Sequence, residues 1–163
     1  MGPVVLRAVV HTLGRGREAG WESSGVAEYT RRLARGSPAI AARLALYPTE
    51  EALRLGVARV RCPVVVLDRG GEEQPSTEEL AEILFSEVFA SSSTAAFVIG
   101  GASGLPSELR GPAAEAAPGA ASFRRLSLGR LTFPHRLTRL LLLEQLFRAR
   151  EHRAGSAYHQ ADG

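Results

Sequence analysis

The sequence predicts an α/β fold in which a mostly parallel sheet carries helices on both faces. Short apolar segments alternate along the chain with segments of helical spacing, which is the order of βαβ units. Residues Val64–Leu67 and 95–99 are continuously apolar, as expected of strands that are buried on both faces of a parallel sheet. The chain has 163 residues and shows neither a repeat nor a linker, so one domain over residues 1–163 is the simplest organisation.

In the N-terminal half, the predicted order is strand, helix, strand, helix. Residues 4–10 are apolar and rich in valine, and residues 18–33 carry apolar side chains at helical spacing. A strand over 40–47 ends before Pro48, because proline cannot donate a hydrogen bond to a sheet. Thr49 is the predicted N-cap of the next helix, since a threonine hydroxyl accepts a bond from the first turn.

In the C-terminal half, three helices and the last strand are predicted around the strand at 95–99. Thr77 is the predicted N-cap of a helix over 78–89, and Pro106 opens a short helix. Residues 122–128 are predicted to form the last strand, and residues 135–153 the final helix.

The charge of the chain is positive and unevenly distributed. All 20 basic residues are arginine. The codon usage of a GC-rich genome is the simple explanation of this composition. Residues 1–62 and 109–163 have an excess of arginine, whereas residues 63–108 are acidic. Two basic ends around an acidic centre permit a basic face for nucleic acid.

Composition indicates a cytoplasmic protein. Cys62 is the single cysteine, so no internal disulfide forms, which fits a reducing compartment. No apolar run is long enough to span a membrane, and the N-terminus reads as a strand and not as a signal peptide. Four histidines without a cysteine cluster argue against a metal site.

Two glycine clusters compete as the loop that holds a ligand. Residues 14–20 follow the first strand as in a dinucleotide fingerprint, but the spacing differs and no acidic residue ends the second strand, which favours a plain loop. Residues 100–104 directly follow a buried strand, at the edge where open α/β sheets bind ligands. The alternative for this second cluster is a tight turn between strand and helix.

Residues 126–135 form a third loop, in which Gly129 and Pro134 lie between a predicted strand and the final helix. That helix is apolar nearly all round, whereas a surface helix would carry one apolar stripe. We therefore expect it to pack both within its own subunit and against a second subunit. Its apolar residues are Leu137, Leu140, Leu141, Leu142, Leu143, Leu146 and Phe147.

Four motifs follow one another in the last third of the chain. They are Val98-Ile-Gly-Gly-Ala-Ser-Gly-Leu105, Leu131-Thr-Phe-Pro-His135, Leu143-Glu-Gln-Leu-Phe-Arg-Ala149 and Tyr158-His159. Together they resemble the ribosomal RNA large subunit methyltransferase H family. This SPOUT-class family methylates ring nitrogen 3 of a pseudouridine in large-subunit rRNA. The resemblance is dense from residue 98 to residue 159 and sparser before it.

The resemblance implies a SPOUT α/β domain with a deep trefoil knot at its C-terminal end, and a homodimer with active sites across the two subunits. The implied cofactor is S-adenosylmethionine, bent within the knot. The implied partners are a second copy of the chain and the large-subunit rRNA of the assembled ribosome, not DNA or a membrane. By motif matching, the cofactor contacts fall on Leu67, Gly100, Leu128, Gly129, Arg130, Leu131, Thr132 and Phe133. A Gly100→Val change is expected to block the cofactor and leave the fold largely intact.

The implied catalytic candidates are His135, Arg148, Tyr158 and His159. Each has a simpler alternative: a role at the helix terminus for His135, a surface position for Arg148, and an inert tail for Tyr158 and His159. In the catalytic interpretation the tail becomes ordered only with RNA and cofactor, and Tyr158 stacks or hydrogen-bonds near the target base.

The chain departs from the family pattern at three places. The segment between Tyr47 and Cys62 is short, His11 stands where the family tends to have glycine, and Gln160 stands where it usually has arginine or lysine. These departures leave open a second interpretation, a SPOUT-fold RNA-binding dimer with another RNA target or without catalysis.

Overall fold

Five parallel strands form one sheet at the centre of the fold. The computed structural model describes residues 4–15, 20–71, 75–110 and 116–160. The strands lie in the order β2-β1-β4-β3-β5, and every neighbouring pair is parallel. Their bounds are β1 Val5–Leu13, β2 Ala39–Tyr47, β3 Val64–Leu67, β4 Thr94–Ile99 and β5 Phe123–Leu126.

Helices connect the strands and cover both faces of the sheet, which confirms the predicted α/β class. Within the described ranges, no helix combines the length and apolar character needed to cross a bilayer. The helices are α1 Ser23–Ala34, α2 Glu50–Ala58, α3 Thr77–Glu82 with a π-helical continuation Ile83–Val88, α4 Ser107–Arg110 and α5 His135–Arg153, and a 3-10 turn Ala157–Gln160 follows.

Strands β3 and β4 contribute to two separate cores because successive side chains point to opposite faces of the sheet. Val65 and Phe97 belong to the core beneath α1, α3 and α5. Val64 and Val98 belong to the core beneath α2 and α4. This two-sided burial is the arrangement that the continuously apolar segments predict.

Helix α5 lies across the first face and is anchored by a buried arginine. The guanidinium of Arg150 donates to the carbonyl oxygens of Arg32 at 3.1 Å and Leu33 at 2.8 Å. These carbonyls belong to the last turn of α1, where helix carbonyls lack partners within the helix. Arg150 therefore fixes the C-terminal half of α5 against the end of α1.

Several boundaries of helices and strands differ between the prediction and the structure. Strand β1 extends to Leu13, and β5 ends at Leu126, two residues before the prediction, because the chain turns at Ser127. Helix α1 begins at Ser23, and part of its predicted start lies outside the described residues. Thr49 caps α2 as predicted, accepting a bond from the amide of Ala52 at 3.1 Å.

The predicted N-cap Thr77 is wrong: Ser76 caps α3, and Thr77 is the first helical residue. The hydroxyl of Ser76 accepts from the amide of Glu79 at 3.2 Å, and the Glu79 carboxylate accepts from the amide of Ser76 at 2.7 Å. This reciprocal pair is a capping box, which satisfies two backbone donors at once.

We expect Ser76→Ala to lower the free energy of unfolding by about 1 kcal/mol, because the helix loses its cap. Thr77→Ala is the matched control, and its expected effect is smaller because the Thr77 side chain caps nothing. Urea denaturation of both variants measures the difference. Equal losses in the two variants would contradict the assignment of the cap.

Candidate active site

Three neighbouring strand ends meet at the carboxyl edge of the sheet. The register pairs Leu67, the last residue of β3, with Ile99 of β4 on one side and Leu126 of β5 on the other. The amide of Asp68 then donates to the carbonyl of Leu126 at 2.9 Å. The loops that begin at Gly100 and Ser127 therefore flank the end of β3, where α/β sheets bind ligands. The structure thus brings together the three segments predicted to hold a cofactor.

A buried serine shapes the loop after β5. The Ser127 hydroxyl donates to the carbonyl of Gly129 at 2.9 Å, and the Gly129 amide donates to that hydroxyl at 3.2 Å. Gly129 has a φ of +136°, a region that side chains rarely adopt, yet a Cβ there would meet no atom within 4 Å. The glycine thus serves the backbone conformation, and the space beside it is open.

The loop after β3 supports the same segment from the other side. The guanidinium of Arg69 donates to the hydroxyl of Thr132 at 2.7 Å. A Cβ on Gly71 would lie 2.9 Å from the carbonyl carbon of Leu126, so only glycine permits this close approach. Sequence reasoning missed Ser127 and Arg69. For Ser127 a signal existed, since a serine two residues before a glycine is typical of a side-chain turn.

The glycines after β4 form a tight turn that is held by reciprocal backbone hydrogen bonds. The amides of Gly101 and Gly104 each donate to the other's carbonyl at 3.0 Å. A Cβ on Gly100 would lie 2.5 Å from the carbonyl group of Gly104. The tight turn that the sequence analysis gave as the alternative for residues 100–104 is therefore present. The expectation that Gly100→Val leaves the fold intact is wrong, because the new side chain would clash with backbone.

The predicted cofactor residues after β5 divide by exposure. Leu128, Gly129 and Phe133 are partly buried, whereas Arg130, Leu131 and Thr132 are exposed. Leu131 exposes 73% of its surface, which is unusual for a leucine. The loop thus keeps Leu128 and Phe133 partly buried and presents Arg130, Leu131 and Thr132 to solvent.

The first turn of α5 ties this loop to the end of β1. His135 is the first residue of the helix and is partly buried. One residue later, Arg136 forms an ion pair with the buried Glu22, with Nη1 and Oε1 3.4 Å apart. The buried Arg139 donates to the carbonyl of Leu13, the last residue of β1. His135 therefore occupies a fixed position at the rim of the strand-end loops.

Tyr158 packs onto its own subunit. Its hydroxyl lies 3.3 Å from that of Tyr29 and 3.4 Å from a carboxylate oxygen of Glu144. Its ring meets that of Phe147 edge to face, with centroids 4.8 Å apart. Burial, together with the hydrogen bond to Tyr29, raises the pKa of the Tyr158 phenol. The phenol is thus neutral at physiological pH and serves as a hydrogen-bonding group.

Arg148 belongs to the same cluster. Its guanidinium pairs with Glu144, with Nη2 and Oε1 2.9 Å apart, and its Cζ lies 5.2 Å from the centroid of the Tyr158 ring. These contacts pack Tyr158 against α1 and α5 of its own subunit. The expectation that the tail becomes ordered only with RNA and cofactor stays a prediction. The side chain of His159 lies outside the described structure.

One subunit does not bring Tyr158 and His135 together. Tyr158 contacts α5 at Glu144, nine residues after the helix begins, which corresponds to roughly 13 Å along the axis. The cofactor residues and His135 therefore lie at one end of α5, and Tyr158 and Arg148 lie near its middle.

His11 forms a separate buried pair with Tyr47 between β1 and β2. Its Nδ1 lies 2.8 Å from the Tyr47 hydroxyl, and the two rings stack with centroids 5.7 Å apart. Burial, aided by the positive charge of Arg43, lowers the pKa of His11 to about 4. His11 is neutral at physiological pH. The competing glycine cluster at 14–20 lies partly outside the described residues.

Comparison with known families agrees with this geometry. The profile of the family described as "Predicted SPOUT methyltransferase" matches residues 6–159. The match covers the sheet, the three strand-end loops and α5.

Relatives match over nearly the whole chain. Ribosomal RNA large subunit methyltransferase H of Synechococcus sp. (strain CC9311) is 38% identical over 95% of this chain and 97% of its own length. The protein of the same name from Rubrobacter xylanophilus is 36% identical over 96% of this chain and 99% of its own length. The chain belongs to this family of SPOUT methyltransferases.

The His11 pair predicts a stability that falls in acid. The unfolded state takes up a proton below pH 6.5 while the folded state resists it until about pH 4. The contribution of His11 to the free energy of unfolding is therefore fully present above pH 6.5. Below that pH it declines by at most about 1.4 kcal/mol per pH unit.

Urea denaturation at a series of pH values tests this decline. His11→Gln keeps a hydrogen-bonding group and removes the titration, so its stability should fall less between pH 6.5 and 4. Identical slopes for the variant and the wild type would contradict the assignment.

Proposed function

We propose that the chain is an S-adenosylmethionine-dependent methyltransferase of large-subunit ribosomal RNA. The proposed acceptor is N3 of a pseudouridine, the proposed substrate is the assembled ribosome in the cytoplasm, and the proposed active unit is a homodimer. The observation that carries the proposal is the convergence of Leu67, Gly100 and the 127–133 loop at three adjacent strand ends. The names of the relatives supply the choice of ribosomal RNA.

The residues at the strand ends fit such a cofactor. Leu67, Leu128 and Phe133 are apolar and at least partly buried, as walls around an adenine ring require. The open space beside Gly129 admits a ligand close to the backbone. When bound, S-adenosylmethionine supplies an electrophilic methyl group on a sulfonium sulfur.

Transfer needs positioning and the removal of one proton. N3 would take the methyl group that the cofactor supplies, and its imide proton would pass to a base. His135 is the residue next to the loop that carries an imidazole, the side chain that most often serves as a general base. Arg136 and Arg139 fix the first turn of α5 and so hold His135 in place. Much of the acceleration then comes from orientation of the two reactants.

A homodimer would join the two halves of the site. Leu137, Leu140 and Leu141 are only partly buried, so α5 retains apolar surface for a second copy. Along the helix, the contact of Tyr158 at Glu144 lies roughly 13 Å from His135, and Arg148 lies about 20 Å from it, in one subunit. In a symmetric pair of α5 helices, the tail region of one subunit would approach the strand-end loops of the other.

The trefoil knot remains part of this proposal. Residues between β5 and α5 lie against the loop after β3 through Ser127 and Thr132, and α5 then covers the face that also carries α1 and α3. If the chain after β5 passed behind the loop after β3, the cofactor residues would be held firmly, because neither of these two loops could open without the other.

Calorimetry with S-adenosylmethionine and a ribosome assay test the proposed activity. The wild type should bind the cofactor and transfer labelled methyl groups to ribosomes from a strain that lacks the modification. Ser127→Ala should weaken cofactor binding about fivefold to tenfold, because the 127–129 turn loses its side-chain hydrogen bonds. Ser86→Ala changes an exposed serine on α3's π-helical continuation and serves as the control.

No heat of binding from the folded wild type would refute the cofactor. Binding without transfer to any RNA would favour the non-catalytic RNA-binding alternative. Activity on naked rRNA fragments equal to that on ribosomes would refute the proposed substrate.

The tail is tested by truncation and by a conservative change. Truncation after Ala157 should abolish methyl transfer and spare cofactor binding, since Tyr158 contacts α1 and α5 and not the strand-end loops. Tyr158→Phe keeps the ring against Phe147 and removes the hydroxyl, so it separates packing from chemistry. Full transfer by the truncated protein would contradict a role for the tail.

A further inference from the structure

A single exposed tryptophan lies at the rim of the strand-end loops. Trp21 exposes 70% of its surface and is the only tryptophan of the chain. Its neighbour Glu22 is buried and pairs with Arg136, which directly follows His135. The segment that carries Trp21 is therefore tied to the first turn of α5, beside the loop that enters this helix.

The ion pair of Glu22 brings one arginine close to the segment that carries Trp21. Arg136 retains 38% of its side-chain exposure while paired with Glu22. Arg130 is exposed in the loop that enters the same helix. Aromatic rings with arginine beside them are a common surface for unpaired nucleotides, because the ring stacks on a base and the guanidinium contacts phosphate.

We propose that Trp21 stacks on an unpaired base of the substrate RNA, next to the nucleotide that is methylated. This inference rests on the proposed function and adds a binding residue to it. A large exposed side chain on a segment tied to the first turn of α5, the turn that begins with His135, is well placed to contact RNA that enters the strand-end site. The stack would hold the single strand in register with the 127–133 loop.

Charge argues against a second copy as the occupant of this patch. In a symmetric dimer the same patch on both subunits meets itself. A contact centred on Trp21 would then take the half-exposed Arg136 of both copies out of water, and removing charged groups from water is costly. The partly buried leucines of α5 are the more suitable dimer surface, since they carry no charge.

Two substitutions at one position separate stacking from simple burial. Trp21→Phe keeps an aromatic face, whereas Trp21→Leu keeps apolar character without a ring. We expect Trp21→Leu to raise KM for ribosomes about tenfold, the usual order for loss of one base stack. Trp21→Phe should restore most of that loss. Cofactor affinity and dimer mass should remain at wild-type values in both variants.

The sole tryptophan also reports directly by its fluorescence. Titration with a short single-stranded RNA should quench the emission of the wild type. A wild-type KM for Trp21→Leu would overturn the inference, and so would emission that shifts only when dilution dissociates a dimer. If one of these two results is found and the wild type still methylates ribosomes, the proposed function stands and only the role of Trp21 is refuted. If the wild type binds no cofactor and methylates no RNA, the proposed function itself fails.

Discussion

The parallel pairing of β3 with both β4 and β5 is the constraint on which the candidate site depends. Parallel strands end at the same edge, and here the register also aligns their last residues, with Leu67 between Ile99 and Leu126. Three loops from distant parts of the chain therefore start side by side. A change of register in either pair would displace one loop from the others, and buried side chains on both faces of β3 oppose such a change.

The prediction of the fold succeeded where one local signal decided the structure. Continuous valine runs predicted the buried strands, and the hydroxyl of Thr49 predicted the start of α2. At the next cap two hydroxyls compete, and only Ser76 has a glutamate three residues later, so the signal existed but was overlooked. The packing of Tyr158 had no local signal, because its partner Tyr29 lies 129 residues away in sequence.

The glycines show why a motif alone does not define a ligand site. Gly100 and Gly129 both follow strands, and the resemblance to the family assigns both to the cofactor. In the structure, Gly100 is required by the backbone of Gly104, whereas the position beside Gly129 opens onto space. Glycine is thus required at residue 100 by a neighbouring backbone and at residue 129 by its own backbone conformation, and only residue 129 has open space beside it. Only the surrounding atoms distinguish the two cases.

Two buried arginines make α5 a fixed part of the site and not merely a cover for the sheet. Arg139 reaches the last carbonyl of β1, and Arg150 reaches two carbonyls at the end of α1. Buried cations are costly unless hydrogen bonds satisfy them, and a planar guanidinium can serve several carbonyls at once, which a lysine ammonium does less well. These contacts set both halves of the helix against separate elements. His135, which begins α5, and Tyr158, which contacts the helix at Glu144, thereby hold defined positions relative to each other. The methyl transfer proposed above would depend on such orientation.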